Sequence, residues 1–151
     1  MTPPLDTPGF SVINKRRIHH LRARVYAAFA DPLQLAVWWG PDGFTNDFRT
    51  FDLRPGGEWL FTMTNEAGKA FENTKVFHEV VAPERIVFRH IQPVHDFTMT
   101  MEFAEVGEAT DLMWRMDFAP GQDSEPLAPF LEAANEQNFD RLEAHLNTIK
   151  T

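Results

Sequence analysis

The sequence predicts an α+β fold in which a curved antiparallel sheet packs against one long C-terminal helix. Between Gly43 and Phe118 the apolar residues alternate with polar ones in short runs that turn residues interrupt, which is the period of half-buried strands. The last segment switches to helical spacing. The chain has 151 residues, 43% of them apolar, which is enough for one core. We therefore expect a flexible N-terminus at 1–8 and a single domain at 9–151.

The first elements are one strand and two short helices. Alternation predicts a strand at 10–18, and helical spacing follows at 21–30. Asp31 and Pro32 end that helix, and the Asp31 side chain can cap a second helix at 33–38.

The middle of the chain predicts a meander of five or six strands linked by hairpins. Pro55 and Gly56 suit the centre of a type II turn, because proline presets the first φ and glycine supplies the positive second one. Gly107 and Glu108 suit a two-residue hairpin loop. The strands are expected at 48–53, 59–63, 70–81, 85–91, 97–103 and 112–118.

The final segment is expected to form the longest helix, with Ser124 as a candidate cap and prolines tolerated in its first turn. Asn135 and Asn138, next to Phe139, make the middle of this helix more polar than its ends. Its apolar stripe consists of Leu127, Leu131, Ala134, Leu142, Leu146 and Ile149.

Composition excludes several classes of function. The net charge of −8 disfavours binding to nucleic-acid backbones, which requires a positive face. The absence of cysteine excludes disulfides, thiolate metal sites and a cysteine nucleophile, and it fits a reducing compartment. The sequence contains neither a long apolar run nor a signal peptide, so we expect no membrane contact and a cytoplasmic location.

Four strings in the sequence carry a resemblance to a known family. They are WWGPDGF at 38–44, DLRPGGEW at 52–59, APERIVF at 82–88 and DRLEAHL at 140–146. With the order of elements, they make the chain resemble the bacterial stand-alone members of the family named for the activator of the ninety-kilodalton heat-shock protein ATPase. That family lies within the START/Bet v 1-like (SRPBCC) superfamily, and the resemblance extends over roughly residues 9–149.

The resemblance implies a helix-grip fold, in which six or seven strands wrap around the C-terminal helix and leave an apolar cavity. The chain has 14 Phe and 4 Trp but a single Tyr, which fits an interior of aromatic rings without hydroxyl groups. We expect the cavity to bind a small, largely hydrophobic or aromatic ligand, without catalysis and without a cofactor. The residues expected to line it are Trp39, Trp59, Phe61, Met63, Phe88, His90, Phe97, Met99, Met101, Trp114, Met116, Asn135, Asn138 and Phe139.

Each feature of this interior also has a purely structural interpretation. The methionines can adapt to varied ligands or simply fill the space. Asn135 and Asn138 can orient a ligand or meet water at the cavity mouth. His78 and His90 are candidate acid–base groups, or histidines hydrogen-bonded within the structure.

Other chemistries find little support. The densest histidine cluster joins His90, His95 and Asp96, but three converging ligands would need a favourable loop, so we expect no metal site. The only serines are Ser11 and Ser124, which form no catalytic triad. A pair formed by Asp52 and Arg54 is more consistent with a hairpin salt bridge than with an anion site.

Two further functions stay open as alternatives. One is a polyketide cyclase or aromatase that uses the same cavity. The other is activation of the ninety-kilodalton heat-shock protein ATPase, although the known activators are longer and have an additional N-terminal domain. The sequence fits either a monomer or a homodimer.

Overall fold

Seven antiparallel strands form one sheet in a computed structural model, which describes residues 9–92, 96–119 and 125–149. The strand order across the sheet is β1-β7-β6-β5-β4-β3-β2. The α+β helix-grip fold predicted from the sequence is thereby confirmed. The elements are β1 (Phe10–Ile18), α1 (Arg22–Ala30), α2 (Pro32–Trp38), β2 (Thr45–Phe51), β3 (Glu58–Thr64), β4 (Ala70–Val81), β5 (Arg85–Gln92), β6 (Phe97–Val106), β7 (Ala109–Phe118) and α3 (Ala128–Thr148), the last preceded by a 3₁₀ turn, Glu125–Leu127.

The predicted meander is confirmed from β2 to β7, where each strand pairs with the next along the chain. β1 completes the sheet by pairing antiparallel with β7, with Phe10 opposite Phe118. The second strand begins at Thr45 rather than at 48, and an irregularity in its pairing lies between Phe48 and Thr50. Such a bulge changes which side chains share a face.

The hairpin between β2 and β3 closes with the predicted type II turn. The N–H of Gly57 donates to the carbonyl of Arg54 at 2.8 Å, and Gly56 has a φ of 83°. Gly57 is required for a different reason, because a Cβ built there would lie 1.9 Å from the carbonyl oxygen of Asp52. The exposed Arg54 pairs with Asp52 at 2.8 Å across this turn, as expected.

The helices begin at residues that the sequence only partly identifies. Asp31 caps α2, since its Oδ1 accepts from the N–H of Leu33 at 3.0 Å. The candidate cap Ser124 lies outside the described residues. Helix α3 itself begins at Ala128, with Leu127 at the N-cap position and no side-chain cap there.

Polar groups on β1 hold α3 against the sheet. The guanidinium of Arg16 donates to Glu136, Asp140 and Glu143 at 2.6–2.7 Å and lies 5.4 Å from the ring centre of Phe139. These acceptors raise the pKa of Arg16 further above its ordinary value, although desolvation opposes them. Because three acidic side chains converge on one cation, the helix has one orientation on the strand.

A second arginine ties α3 to the loop after α2. Nη1 of Arg141 donates to the carbonyls of residues 39, 40 and 41 at 3.3, 2.9 and 2.8 Å, and Nη2 donates to that of Phe44 at 3.0 Å. This loop lacks a repetitive backbone hydrogen-bond pattern. The side chain of Arg141 therefore supplies the donors that its carbonyls need.

Candidate functional site

The inner face of the sheet, beneath α3, is lined by aromatic and methionine side chains. Of the residues that the sequence places there, Met63 and Phe97 are partly buried. The other predicted lining residues are buried: Trp39, Trp59, Trp114, Phe61, Phe88, Phe139, Met99, Met101, Met116, His90, Asn135 and Asn138. Whether they contact a ligand remains a prediction.

Three tryptophans meet in the centre of this interior. The ring of Trp39 lies 5.0 Å from that of Trp59 and 5.3 Å from that of Trp114. The indole nitrogens of Trp59 and Trp114 are buried and have no hydrogen-bond partner among the described residues, whereas that of Trp38 donates to the carbonyl of Ala28 at 3.0 Å. Two buried N–H donors therefore lack acceptors in the described part of the chain, and buried indoles usually have one.

A small apolar cavity adjoins these rings. Its volume is about 10 Å³, close to that needed for one water molecule. Three residues of the predicted lining, Trp39, Trp59 and Met101, contribute to it. The rest of its wall consists of residues that the sequence did not predict as lining: Phe29, Leu35, Phe51, Leu53, Phe77 and Ile86.

A buried lysine occupies the same interior, and the sequence analysis missed it. The side chain of Lys75 on β4 is only 3% exposed. Its Nζ donates to Oδ1 of Asn73 at 3.0 Å and lies 2.8 Å from Nδ1 of His90 on β5. The His90 ring stacks in turn on Phe97, with ring centres 4.7 Å apart. We refer to Asn73, Lys75 and His90 as the buried polar cluster.

Aromatic rings surround the amine on its other sides. Nζ of Lys75 lies 5.4, 5.0 and 5.4 Å from the ring centres of Trp59, Phe61 and Phe88. The faces of such rings attract a cation. They replace only part of the hydration that the ammonium loses, however, because a ring face carries no net charge.

Burial lowers the pKa of Lys75 to about 7 from an ordinary value of 10.5. Removal of water from around the ammonium is the cause. Near neutral pH the amine is consequently close to half protonated, so it can serve as hydrogen-bond donor, as base or as cation.

The alternation of β4 explains why the lysine faces inward. Asn73, Lys75 and Phe77 are buried and alternate with less buried residues. The prediction that His78 is a candidate acid–base group of the interior is wrong, because His78 is exposed. An irregularity in the pairing between Phe77 and Glu79 lies at this position. The signal that could have revealed the inward face is the pairing of Lys75 with Trp59 on β3 and with His90 on β5.

The two asparagines of α3 have partners in the protein. Oδ1 of Asn138 accepts from the N–H of Gly40 at 2.8 Å. Nδ2 of Asn135 donates to Oδ1 of Asn14 at 3.0 Å and lies 3.4 Å from the sulfur of Met116. Both amides are buried, so the alternative that they meet water at a cavity mouth is wrong.

The histidine cluster considered as a metal site falls partly outside the described residues, since His95 is not among them. Asp96 pairs with Arg89, and this contact holds the pKa of the carboxyl below its ordinary value. Within residues 9–92, 96–119 and 125–149 no group of three or more acidic, histidine or cysteine side chains is arranged to hold a metal ion.

A family model described as Activator of Hsp90 ATPase homolog 1-like protein matches residues 19–147. The chain belongs to this family. The matched segment contains the buried polar cluster, the three central tryptophans and most of α3, whereas β1 precedes it. A comparison with curated proteins gives no match.

Solved structures with the fold of this family member come from several bacteria. A protein from Chromobacterium violaceum is 26% identical, with a TM-score of 0.82 over 92% of this chain and 98% of the other. A protein from Arthrobacter aurescens is 21% identical, with a TM-score of 0.85 over 95% and 89%. A protein from Rhizobium loti is 27% identical, with a TM-score of 0.73 over 90% and 96%. These similarities support the fold assignment.

Two of the strings that carried the resemblance to this family contact each other. Arg141, in the string at 140–146, donates to the backbone of the string at 38–44. The Hsp90-activator family member thus uses both strings to attach α3 to the loop after α2. Among the helices of the described residues, none is both long and apolar enough to cross a membrane.

Proposed function

We propose that this protein binds a small, largely apolar molecule in the interior between the sheet and α3, without transforming it. The observation that carries the proposal is the pair of buried indole N–H groups of Trp59 and Trp114, for which residues 9–92, 96–119 and 125–149 supply no acceptor. Leaving a buried donor unsatisfied costs about 1–3 kcal/mol. A ligand whose carbonyl, ether or carboxylate oxygen accepts from either indole N–H would recover part of that free energy.

Binding requires side chains to move, because the cavity beside Trp59 has a volume of only about 10 Å³. The surrounding methionines favour such movement, since a thioether chain is unbranched and readily changes rotamer. Phe51 and Leu53 are the two partly buried residues of the cavity wall, whereas its other residues are buried. We therefore expect the ligand to enter past these two side chains, beside the edge strand β2.

The test is a screen of apolar oxygen-bearing compounds, including fatty acids, flavonoids and polyketides, by native mass spectrometry and thermal shift. Quenching of the clustered tryptophans provides the affinity. Replacement of Trp59 or Trp114 by Phe keeps a ring but removes the donor, so we expect affinity to fall about 5- to 10-fold, the equivalent of one neutral hydrogen bond.

Trp38→Phe is the matched control for these two variants. Its indole N–H already has the Ala28 carbonyl as partner, so its removal should change ligand affinity less than twofold, even if the fold loses some stability. A screen without any binder contradicts the proposal. Equal losses of affinity in all three variants would also contradict it, because they would indicate a general effect on the core.

The contact between Lys75 and His90 favours a second candidate function, an enzyme of the cyclase or aromatase type. Two titratable groups 2.8 Å apart in an apolar interior could exchange protons with a substrate. The same screen separates the two functions when bound compounds are recovered and analysed by mass spectrometry and chromatography. An unchanged mass and chromatographic retention supports binding alone, whereas conversion that Lys75→Met abolishes supports the enzyme.

A further inference from the structure

Among the residues that the structure describes, Lys75 is buried without a counter-ion. Ion pairs in the described part of the chain join other groups, and none includes Lys75. The groups that face its amine are uncharged rings on β3 and β5, the amide of Asn73 on its own strand, and the imidazole of His90 on β5. Asp96 acts electrostatically on His90 but is hydrogen-bonded to Arg89.

We propose that the ligand is an apolar acid whose carboxylate contacts Nζ of Lys75 while its hydrocarbon part occupies the aromatic and methionine interior. This inference rests on the proposed function and adds the chemical class of the ligand. Nζ lies over the face of the Trp59 ring, 5.4 Å from its centre, so a carboxylate on this amine would also lie next to that indole.

The hydrogen-bond count distinguishes an anion from a neutral ligand. An ammonium has three N–H donors, and Lys75 has two acceptors in Asn73 and His90. A neutral carbonyl could accept from the third N–H but would leave a buried charge uncompensated, which is costly. A carboxylate accepts that hydrogen bond and also balances the charge.

Binding of such an acid should take up a proton, because the neutral amine becomes ammonium on meeting the carboxylate. With the pKa of the free protein's lysine at about 7, about 0.9 proton is taken up per ligand at pH 8. At pH 6 the amine is already mostly charged, and the uptake falls to about 0.1 proton. The carboxylic acid is ionised at both values and contributes no proton of its own.

Isothermal titration calorimetry of the full chain tests the inference with two matched pairs of probes. They are 3-phenylpropionate with 3-phenylpropanamide, and octanoate with octanamide. Titration at pH 8 in phosphate and in Tris, which differ in ionisation enthalpy, measures the proton uptake. We expect each acid to bind at least 10-fold more tightly than its amide, with the uptake given above.

Two variants at position 75 test the residue itself. Lys75→Gln keeps a hydrogen-bond donor without a charge, and Lys75→Met removes both. In each, the ratio of acid to amide affinity should fall to about 1 and the proton uptake should vanish. Lys69→Met is the control, because Lys69 also lies over a ring, that of Phe71, but is exposed.

The outcomes separate this inference from the proposed function. Acids that bind wild-type protein no better than their amides overturn the inference and leave the proposed function intact if the amides or other compounds bind. An acid preference that survives both substitutions at Lys75 overturns it as well. Failure of these probes and of the whole screening panel overturns the proposed function. Should a variant not fold, the proton uptake of the wild-type protein still decides.

Discussion

Replacing Lys75 by Met should make the protein's stability less dependent on pH above neutrality. The pKa of this lysine is about 7 in the folded protein and 10.5 in its ordinary, unfolded setting. Between these two values the unfolded chain binds more protons than the folded one, so the free energy of unfolding rises with pH. Methionine has a similar length without an ionisable group, and the variant therefore lacks this rise.

The size of the effect follows from the two pKa values. A difference of one pKa unit corresponds to about 1.4 kcal/mol, so the ionisation of Lys75 costs the folded state on the order of 5 kcal/mol well below pH 7. The cost decreases as the folded-state amine deprotonates. From pH 7 to pH 9 the wild-type protein should gain about 2 kcal/mol relative to Lys75→Met.

Urea unfolding of both proteins at half-unit intervals from pH 7 to pH 9.5 measures this difference. Other titrating groups contribute equally to both proteins and cancel, and starting at pH 7 keeps most of the histidine titration outside the range. The variant also removes the contacts that Nζ makes with Asn73 and His90, and this loss shifts the whole stability curve downward. Lys69→Met, at an exposed position, should run parallel to wild type. Parallel curves for Lys75→Met and wild type would refute a lowered pKa.

Two other predictions concern the framework. Arg141→Lys keeps the charge but cannot reach four carbonyls at once, so urea unfolding should show a loss of about 2–3 kcal/mol. Arg17→Lys, in an exposed ion pair, is the control and should show a clearly smaller loss. Equal losses would contradict the role of Arg141. Gly57→Ala should lower the free energy of unfolding by more than about 2 kcal/mol, because its Cβ would collide with the Asp52 carbonyl. Gly56→Ala, at a φ of 83° but in open space, should lower it by about 1 kcal/mol. Thermal melts that give the reverse order would show that the collision is relieved.

The fold was predictable because its signals are local. The alternation in β6 and β7, the Pro55-Gly56 turn and the Asp31 cap each depend on a few neighbouring residues, and all three agree with the structure. The bounds of β2 were less predictable. A bulge between Phe48 and Thr50 interrupts the period of two, and its position depends on pairing with β3.

The buried polar cluster was not predictable from the alternation of β4 alone. Both phases of that strand contain apolar residues, and lysines seldom face inward because burying a charge is costly. Only the register of β4 against its neighbouring strands shows which phase faces inward. Lys75 lies opposite Trp59 on one side and His90 on the other. Since both of those neighbours were assigned to the inner face, pairing β4 with them would have placed Lys75 there too.

The lysine therefore has opposite consequences for the free protein and for the complex we propose. In the free protein its burial lowers stability at neutral pH, and a methionine in its place would remove that cost. In a complex with an apolar acid the same group acquires a counter-ion within a water-poor interior, where the attraction between opposite charges is strong. The free energy that its burial costs in the unliganded state is partly recovered on binding. An apolar core with methionine at position 75 would bind neutral and acidic ligands without this distinction, so Lys75 is the residue on which selectivity for acids depends.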